Sequence, residues 1–392
     1  MRVLVAHNRY RSALPSGENA MVDQEISQLR DAGIVVWTML PGSDDIPGLT
    51  PARKAGVALG PVIEPWAVKQ LAAAIAAFRP DVLHLHNVFP QISPWAVRTA
   101  HHRGVAVVQT VHNYRHTCVS GFRFRDGRPC DSCVGRRLPL PAVEHACYRG
   151  SRLQSLAMAT GQAVHRATWR SVDRFLALTP FMAAELSALG VDPDRVVLRP
   201  TAVPDPGPPV PLGQDVVFVG RLDEMKGADL LLSAWGAARP PAGSRLRVIG
   251  DGPELPGLRL RAEHLSTVDI CGPLGPRDVA DAMRGAALVA IPSLWYEGQP
   301  RVLAEAFAHG RPVLATDLGS LAGLDDQGVG WSVPATTADF ARALGVLHDR
   351  SLLSANGLRA RAAYDLEHSP DAALESLLAV YERLIRPPVR TG

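Results

Sequence analysis

A chain of 392 residues, 47% hydrophobic and 20% charged, has the composition of a folded enzyme and not of a disordered or fibrous protein. The length exceeds one ordinary core and implies two domains of nearly equal size. The net charge of +3 excludes a strongly polybasic or acidic protein, but it hides an asymmetry: residues 1–200 carry 23 Lys+Arg against 15 Asp+Glu, and the remainder 18 against 23. A basic first half suits an anionic partner, such as a phosphorylated acceptor or, peripherally, a membrane surface; an uneven surface arising by chance is the plain alternative. No apolar run is long enough to span a bilayer, and MRVLVAHN lacks the apolar centre of a signal peptide, so a cytoplasmic location is expected.

From the N-terminus, apolar strand-like runs alternate with helical patterns: RVLVAHN, MVDQEISQLRDAG, IVVWTML, VKQLAAAIAAFRP, DVLHLHN, SPWAVRTAHHRG and VAVVQTVHN. Continuous Val/Leu/Ile runs joined by helices predict a parallel sheet buried on both faces. FLALTPF and VVLRPTA close this half. Residues 200–213, PTAVPDPGPPVPLG, hold six prolines and can sustain neither a helix nor a central strand, which makes them a linker. The rhythm then restarts with DVVFVG, DLLLSAWGAA, RLRVIG, TVDICG, DVADAMRGA, LVAIPS, RPVLAT and DFARALGVLHD. The pattern predicts an α/β protein of two doubly wound, Rossmann-like domains, 1–199 and 214–375. A helix over 376–392 is expected to pack back toward the first domain. Ligand loops then line a cleft between the domains, at the strand C-termini.

Three loops of the second half carry the chemistry. GRLDEMKG places Gly220, Arg221 and Lys226 directly after a strand and before a helix, an order that suits a diphosphate. GDGPE follows RLRVI and offers Gly250 for close backbone approach, though it lacks a full dinucleotide fingerprint. WYEGQPRVLAEAFAHG sets Glu297 before a helix and Glu305 inside it, with Pro300 in the first turn. A carboxylate is a natural acceptor for the vicinal diol of a ribose. One phosphate site flanked by two diol-binding carboxylates describes a nucleotide diphosphate sugar.

With these motifs, and with AEAFAHGRPVLAT and DQGVGWSVP after them, the chain resembles the retaining glycosyltransferases of family 4, which have the GT-B fold. The resemblance implies transfer of a sugar from a nucleotide diphosphate donor to a hydroxyl acceptor (a glycan, lipid, sugar phosphate or natural product) with retained anomeric configuration and no obligatory cofactor. It also implies that the first domain binds acceptor and the second the nucleotide sugar. By this resemblance Glu305 binds the ribose and Glu297 the transferred sugar. Arg221 and Lys226 neutralise the diphosphate, Gly298, Gln299, Pro300 and Arg301 flank it, and the base lies near Pro273 and Leu274. Gln299 stands where the family more often has an aromatic or aliphatic residue. In SGENAMV, Gly17 matches one glycine of the loop that covers the diphosphate. His112, in TVHNYRH, matches the strand-end histidine that touches the transferred sugar or acceptor; a hydrogen-bonded loop histidine is the plain alternative. His84, His86, Asn87 and Arg115 are expected on the acceptor side, lining the cleft. Competing readings are a GT-B nucleotide-sugar epimerase, a phosphorylase, or a non-catalytic sugar-nucleotide binder.

The segment 116–152 is an insertion with Cys118, Cys130, Cys133 and Cys147 spaced C-x11-C-x2-C-x13-C. The C-x2-C core suits a structural zinc; free thiols or redox-labile disulfides are the alternative. Eight arginines lie between Arg115 and Arg152, without the aromatic interleaving of a nucleic-acid module, so no nucleic acid is expected. Cys271, in DICG, is expected to be a buried core thiol.

Overall fold

In the computed structural model, residues 1–12 and 16–385 are described. The chain divides into two compact units: residues 1–123, 130–200 and the chain from Ala373 on form the first, and residues 124–129 with 201–372 form the second.

The first unit is built on a parallel sheet of six strands: β1 (Arg2–Ala6), β2 (Val35–Met39), β3 (Val82–Leu85), β4 (Ala106–Val111), β7 (Arg174–Ala177) and β8 (Val196–Leu198). Their spatial order is β2-β1-β3-β4-β7-β8, so the strand order reverses between β1 and β3. The short strands β5 (Phe124–Arg125) and β6 (Arg128–Pro129), which group with the second unit, form an antiparallel ribbon. The helix Gly17–Asp31 begins at Ser16, whose hydroxyl accepts from the Asn19 amide. It buries Val22, Ile26 and Leu29 against Val3, Val5, Val82 and Leu176. Glu25 lies in that same buried stripe. The helix Pro370–Ile385 adds Leu377, Val380 and Tyr381 to this core. Residues 386–392, the end of the expected last helix, lie outside the described residues.

The second unit holds β9 (Asp215–Val219), β10 (Leu246–Ile249), β11 (Val268–Gly272), β12 (Ala286–Ile291), β13 (Val313–Thr316) and β14 (Gly330–Val333), again parallel, in the order β11-β10-β9-β12-β13-β14. Alternate residues of β12 enter different cores. Leu288 and Ala290 pack with Phe218, Leu231 and Trp235, whereas Val289 and Ile291 pack with Leu303, Phe307 and Tyr364. Both sheet faces are therefore covered, which is why the strands read as unbroken apolar runs. Arg311 is fully buried and donates to the carbonyls of Val210 and Ala286, tethering the proline-rich segment to the sheet. No helix of the described residues is long and apolar enough to cross a membrane.

Candidate active site

In the second unit the order reverses between β9 and β12, the position where doubly wound sheets open a crevice at their strand C-termini. The loops that follow these two strands are GRLDEMKG and the segment around Glu297. Gly227 closes the first loop with φ +67°; a Cβ there would lie 2.0 Å from the Pro292 carbonyl, which holds the two loops together. Gly250 is required for a similar reason, with φ +147° and the Gly220 carbonyl 1.8 Å from where its Cβ would be. These glycines let backbones approach each other.

Lys226 and Glu297 meet across this junction, Nζ to Oε1 at 2.7 Å. Glu297 is buried, and the Ser293 hydroxyl donates to the same carboxylate oxygen at 2.6 Å. The Lys226 ammonium also lies 5.5 Å from the centroid of the Trp295 ring. Arg221 is more open and pairs with Asp223, Nε to Oδ2 at 2.6 Å. The helix Arg301–Ala308 carries Glu305, which accepts from Arg301 Nε at 2.7 Å. Pro300 stands at the N-cap, so the first helical turn begins one residue later than expected. The Gly298 carbonyl is held by the Ser320 hydroxyl at 2.7 Å. Gln299 departs from a simple ligand-facing role: its side-chain oxygen accepts from the Thr201 amide. Pro273 is exposed, and Leu274 packs against a small core of Val217, Ile249 and Ala286. Cys271 is half-buried on that core, not fully buried as expected, because β11 is the edge strand.

In the first unit the reversal lies between β1 and β3, and histidines follow three neighbouring strands: His7 after β1, His86 after β3 and His112 after β4. His86 and His112 stack at 5.2 Å, with His86 Nδ1 and His112 Nε2 2.9 Å apart. Burial, then the neighbouring His86, lowers His112 well below the usual imidazole range; burial, then His84, lowers His86 to about 4. Both rings are neutral near pH 7. A small pocket is lined by Glu18, His86, Asn87, Gln109, His112 and Arg115 among others. Glu18 accepts from the Tyr10 hydroxyl at 3.0 Å, and burial pushes its carboxyl up to about 7. Gly17 is exposed beside the Ser16 cap.

His84 is corrected. Expected to line the acceptor side, it is fully buried, because strand alternation sets it behind His86 on the same sheet face. Its Nε2 contacts the Thr110 hydroxyl at 2.8 Å and its Nδ1 the Tyr381 hydroxyl at 2.6 Å. Sequence reasoning missed Glu25, Arg199 and Tyr381 entirely. Glu25 Oε2 accepts from Arg199 Nη1 at 2.6 Å, and Oε1 lies 3.1 Å from His84 Nδ1 and 3.3 Å from His86 Nε2. The one available signal was a carboxylate three residues after Val22 inside an apolar helical stripe.

All four insertion cysteines are half-buried. Cys133 and Cys147 pack with Val119, Ala142 and Met158. Burial, then Cys118, Cys147 and Cys130 nearby, pushes the Cys133 thiol up to about 11. No three of the four sulfurs lie within 4.8 Å of one another; among the described residues only Glu25, His84 and His86 form such a group.

Two Rossmann-like units, each with polar residues at its sheet's reversal point, define a GT-B protein. Solved structures share the fold. Sucrose-phosphate synthase from Thermosynechococcus elongatus superposes with a TM-score of 0.71 at 19% identity, over 98% of this chain and 99% of that one. An Anabaena protein, HepE, solved in complex with UDP, superposes at 0.66 and 15% identity, over 98% and 100%. Residues 16–202 match the family model described as glycosyl transferase 4-like domain, and residues 213–350 the one described as glycosyl transferases group 1. The D-inositol 3-phosphate glycosyltransferase of Nocardia farcinica is 32% identical over 287 residues, 62% of this chain and 62% of that relative's length. The chain belongs to the group 1 glycosyltransferases of family 4.

Proposed function

We propose that the chain moves a sugar from a nucleotide diphosphate donor to a hydroxyl acceptor with retention of anomeric configuration. The observation that carries this reading is the Lys226–Glu297 pair, which joins the two loops at the reversal point of the second sheet. Glu297 then holds hydroxyls of the transferred sugar, and Glu305 the ribose diol. Arg221 and Lys226, with the backbone N–H groups of Gly298, Gln299 and Arg301, face the diphosphate, Pro300 flanks it, and Gly250, Pro273 and Leu274 border the base. Each charged group already has a protein partner: Asp223 for Arg221, Glu297 for Lys226, Arg301 for Glu305. The donor therefore enters a site whose charges are held in place beforehand.

Breaking the bond between sugar and diphosphate develops oxocarbenium character on the sugar and further negative charge on the departing phosphate. Two fixed cations and a helix N-terminus stabilise that charge more in the transition state than in the ground state. The departing phosphate receives the acceptor proton on the same face, so no covalent nucleophile is needed. On the first unit, His112 contacts the transferred sugar or acceptor, Gly17 approaches the diphosphate, and His86, Asn87 and Arg115 border the acceptor. The basic first half and the phosphorylated acceptor in the name of the Nocardia relative favour an anionic acceptor.

Titration with UDP, GDP and ADP tests the donor site. One of them is expected to bind, and Glu305→Ala to weaken it about 10- to 100-fold, the value of a hydrogen bond to a charged group. Binding of none, or an unaffected Glu305→Ala, overturns the assignment. Proton NMR of the product anomeric signal decides retention.

We further infer a structural zinc on Cys118, Cys130, Cys133 and Cys147. The support is the donor chemistry: four thiols fall in one segment between Cys118 and Cys147, around the C-x2-C pair, and the segment's own core is small. Tetrahedral zinc needs sulfurs roughly 3.8 Å apart, so the loops must draw inward on binding. Protein purified anaerobically is expected to contain close to one zinc per chain and to lose thermal stability to a strong chelator. A zinc content near zero removes the proposal.

A further inference from the structure

The buried network behind His112 has a direction. Glu25 is held as a carboxylate by Arg199, whose guanidinium takes Oε2 at 2.6 Å. Burial alone would raise this acid, but the Arg199 guanidinium beside it outweighs burial and keeps its carboxyl well below the usual range. Its other oxygen, Oε1, lies 3.1 Å from His84 Nδ1, which the Tyr381 hydroxyl already engages at 2.6 Å, and 3.3 Å from His86 Nε2; neither Oε1 nor His86 Nε2 has a well-aligned hydrogen-bond partner among the described residues, which leaves the two atoms facing each other. A neutral imidazole nitrogen that turned its lone pair to a carboxylate would be repelled, so His86 Nε2 carries the proton. His86 Nδ1 is then an acceptor. His112 Nε2, 2.9 Å away, must donate to it. That leaves His112 Nδ1 with a lone pair and no hydrogen-bond partner among the described residues.

The residues Glu25, His84 and His86 also have the composition of a metal set. Arg199 argues against it, because it already supplies the compensating cation and would repel a second. The cluster is also buried, with His84 at 0% exposure and Glu25 at 6%.

We propose that Glu25 and His86 are positioning residues that fix His112 as the Nε2–H tautomer, so that its Nδ1 is a hydrogen-bond acceptor for a substrate hydroxyl. This rests on the reading that His112 contacts substrate, and it adds what His112 can do there. The site takes a hydroxyl that donates a proton and disfavours a ligand group that can only accept. Arg199 gives the relay a built-in test. In Glu25→Gln, Arg199 still demands an oxygen at the Oε2 position, so the amide nitrogen falls toward His86. Every proton in the chain then reverses: His86 Nδ1 donates, His112 Nε2 accepts, and His112 Nδ1 becomes a donor.

The decisive measurement is long-range proton–nitrogen NMR of histidine-labelled protein, with His112→Gln used to assign the signal. In the wild type, His112 is expected to show a protonated Nε2 and a bare Nδ1; in Glu25→Gln the two exchange. A protonated Nδ1 in the wild type overturns the relay, whatever the substrate proves to be. In turnover, Glu25→Gln is expected to lower kcat by about 10²- to 10⁴-fold, with the donor KM within about threefold. Glu25→Asp, which keeps the carboxylate, should recover part of that loss. Equal losses in both variants, or a lower thermal midpoint that accounts for the loss in Glu25→Gln, would reduce Glu25 to a structural part. If no donor is turned over at all, the assignment of function fails while the tautomer measurement still decides the relay.

Discussion

Lys226→Ala is expected to lower kcat by about 10²- to 10³-fold, the cost of removing one preorganised group that faces developing charge. The same change also damages the fold, because Glu297 is 4% exposed and Lys226 is its cation. Loss of one partner of a buried pair leaves an uncompensated charge. The two effects separate in a second variant. Lys226→Met combined with Glu297→Gln removes both charges, keeps similar volumes, and should restore the thermal midpoint to near that of wild type while activity stays low. Calorimetry alongside turnover decides the matter. If the double variant recovers activity together with stability, Lys226 is a structural ion-pair partner and the donor-site reading loses its main cation.

Arg199→Met should produce the largest loss of stability in the first unit, about 3–5 kcal/mol. The guanidinium is 8% exposed at its side chain and Glu25 7%, and Arg199 also donates to the Ala373 carbonyl. Without it the buried Glu25 carboxylate has lost its guanidinium partner and must take up a proton or draw in water. For a unit of this size the midpoint should fall by roughly 6–20 °C. Changing Glu25 to Met as well removes the stranded charge, so the double variant should be more stable than Arg199→Met alone. If it is not, the cost lies in the bond to Ala373, and Glu25 is not held as an anion in the manner described.

Much of the architecture was legible in the sequence because parallel strands covered on both faces leave continuous apolar runs, as in LVAIPS, RVLVA and VAVVQTV. The positions of Arg221, Lys226 and Glu297 next to strand ends could be read for the same reason: a strand, a glycine and a helix fix where a loop falls. What those side chains touch could not. The pairing of Lys226 with Glu297 spans 71 residues, that of Glu25 with Arg199 spans 174, and that of His84 with Tyr381 spans 297. None leaves a periodic trace. Gln299 was read as a residue flanking the diphosphate, yet its oxygen is engaged by the Thr201 amide, a contact between segments 98 residues apart. His84 and His86 look equivalent in DVLHLHN, and only the depth of the strand end separates a buried brace from a pocket wall.

The placement of the helix Pro370–Ile385 bears on how the protein is made. Its Leu377, Val380 and Tyr381 complete the first unit's core, and the Tyr381 hydroxyl bonds to His84. During synthesis these residues leave the ribosome after the whole second unit. The second unit, continuous from Thr201 to Ala372 apart from a six-residue ribbon, can reach its final packing while the first still lacks a wall. The half of the chain that emerges first is thus the one that matures last, and His84 gains its Tyr381 partner only after the second unit has been synthesised.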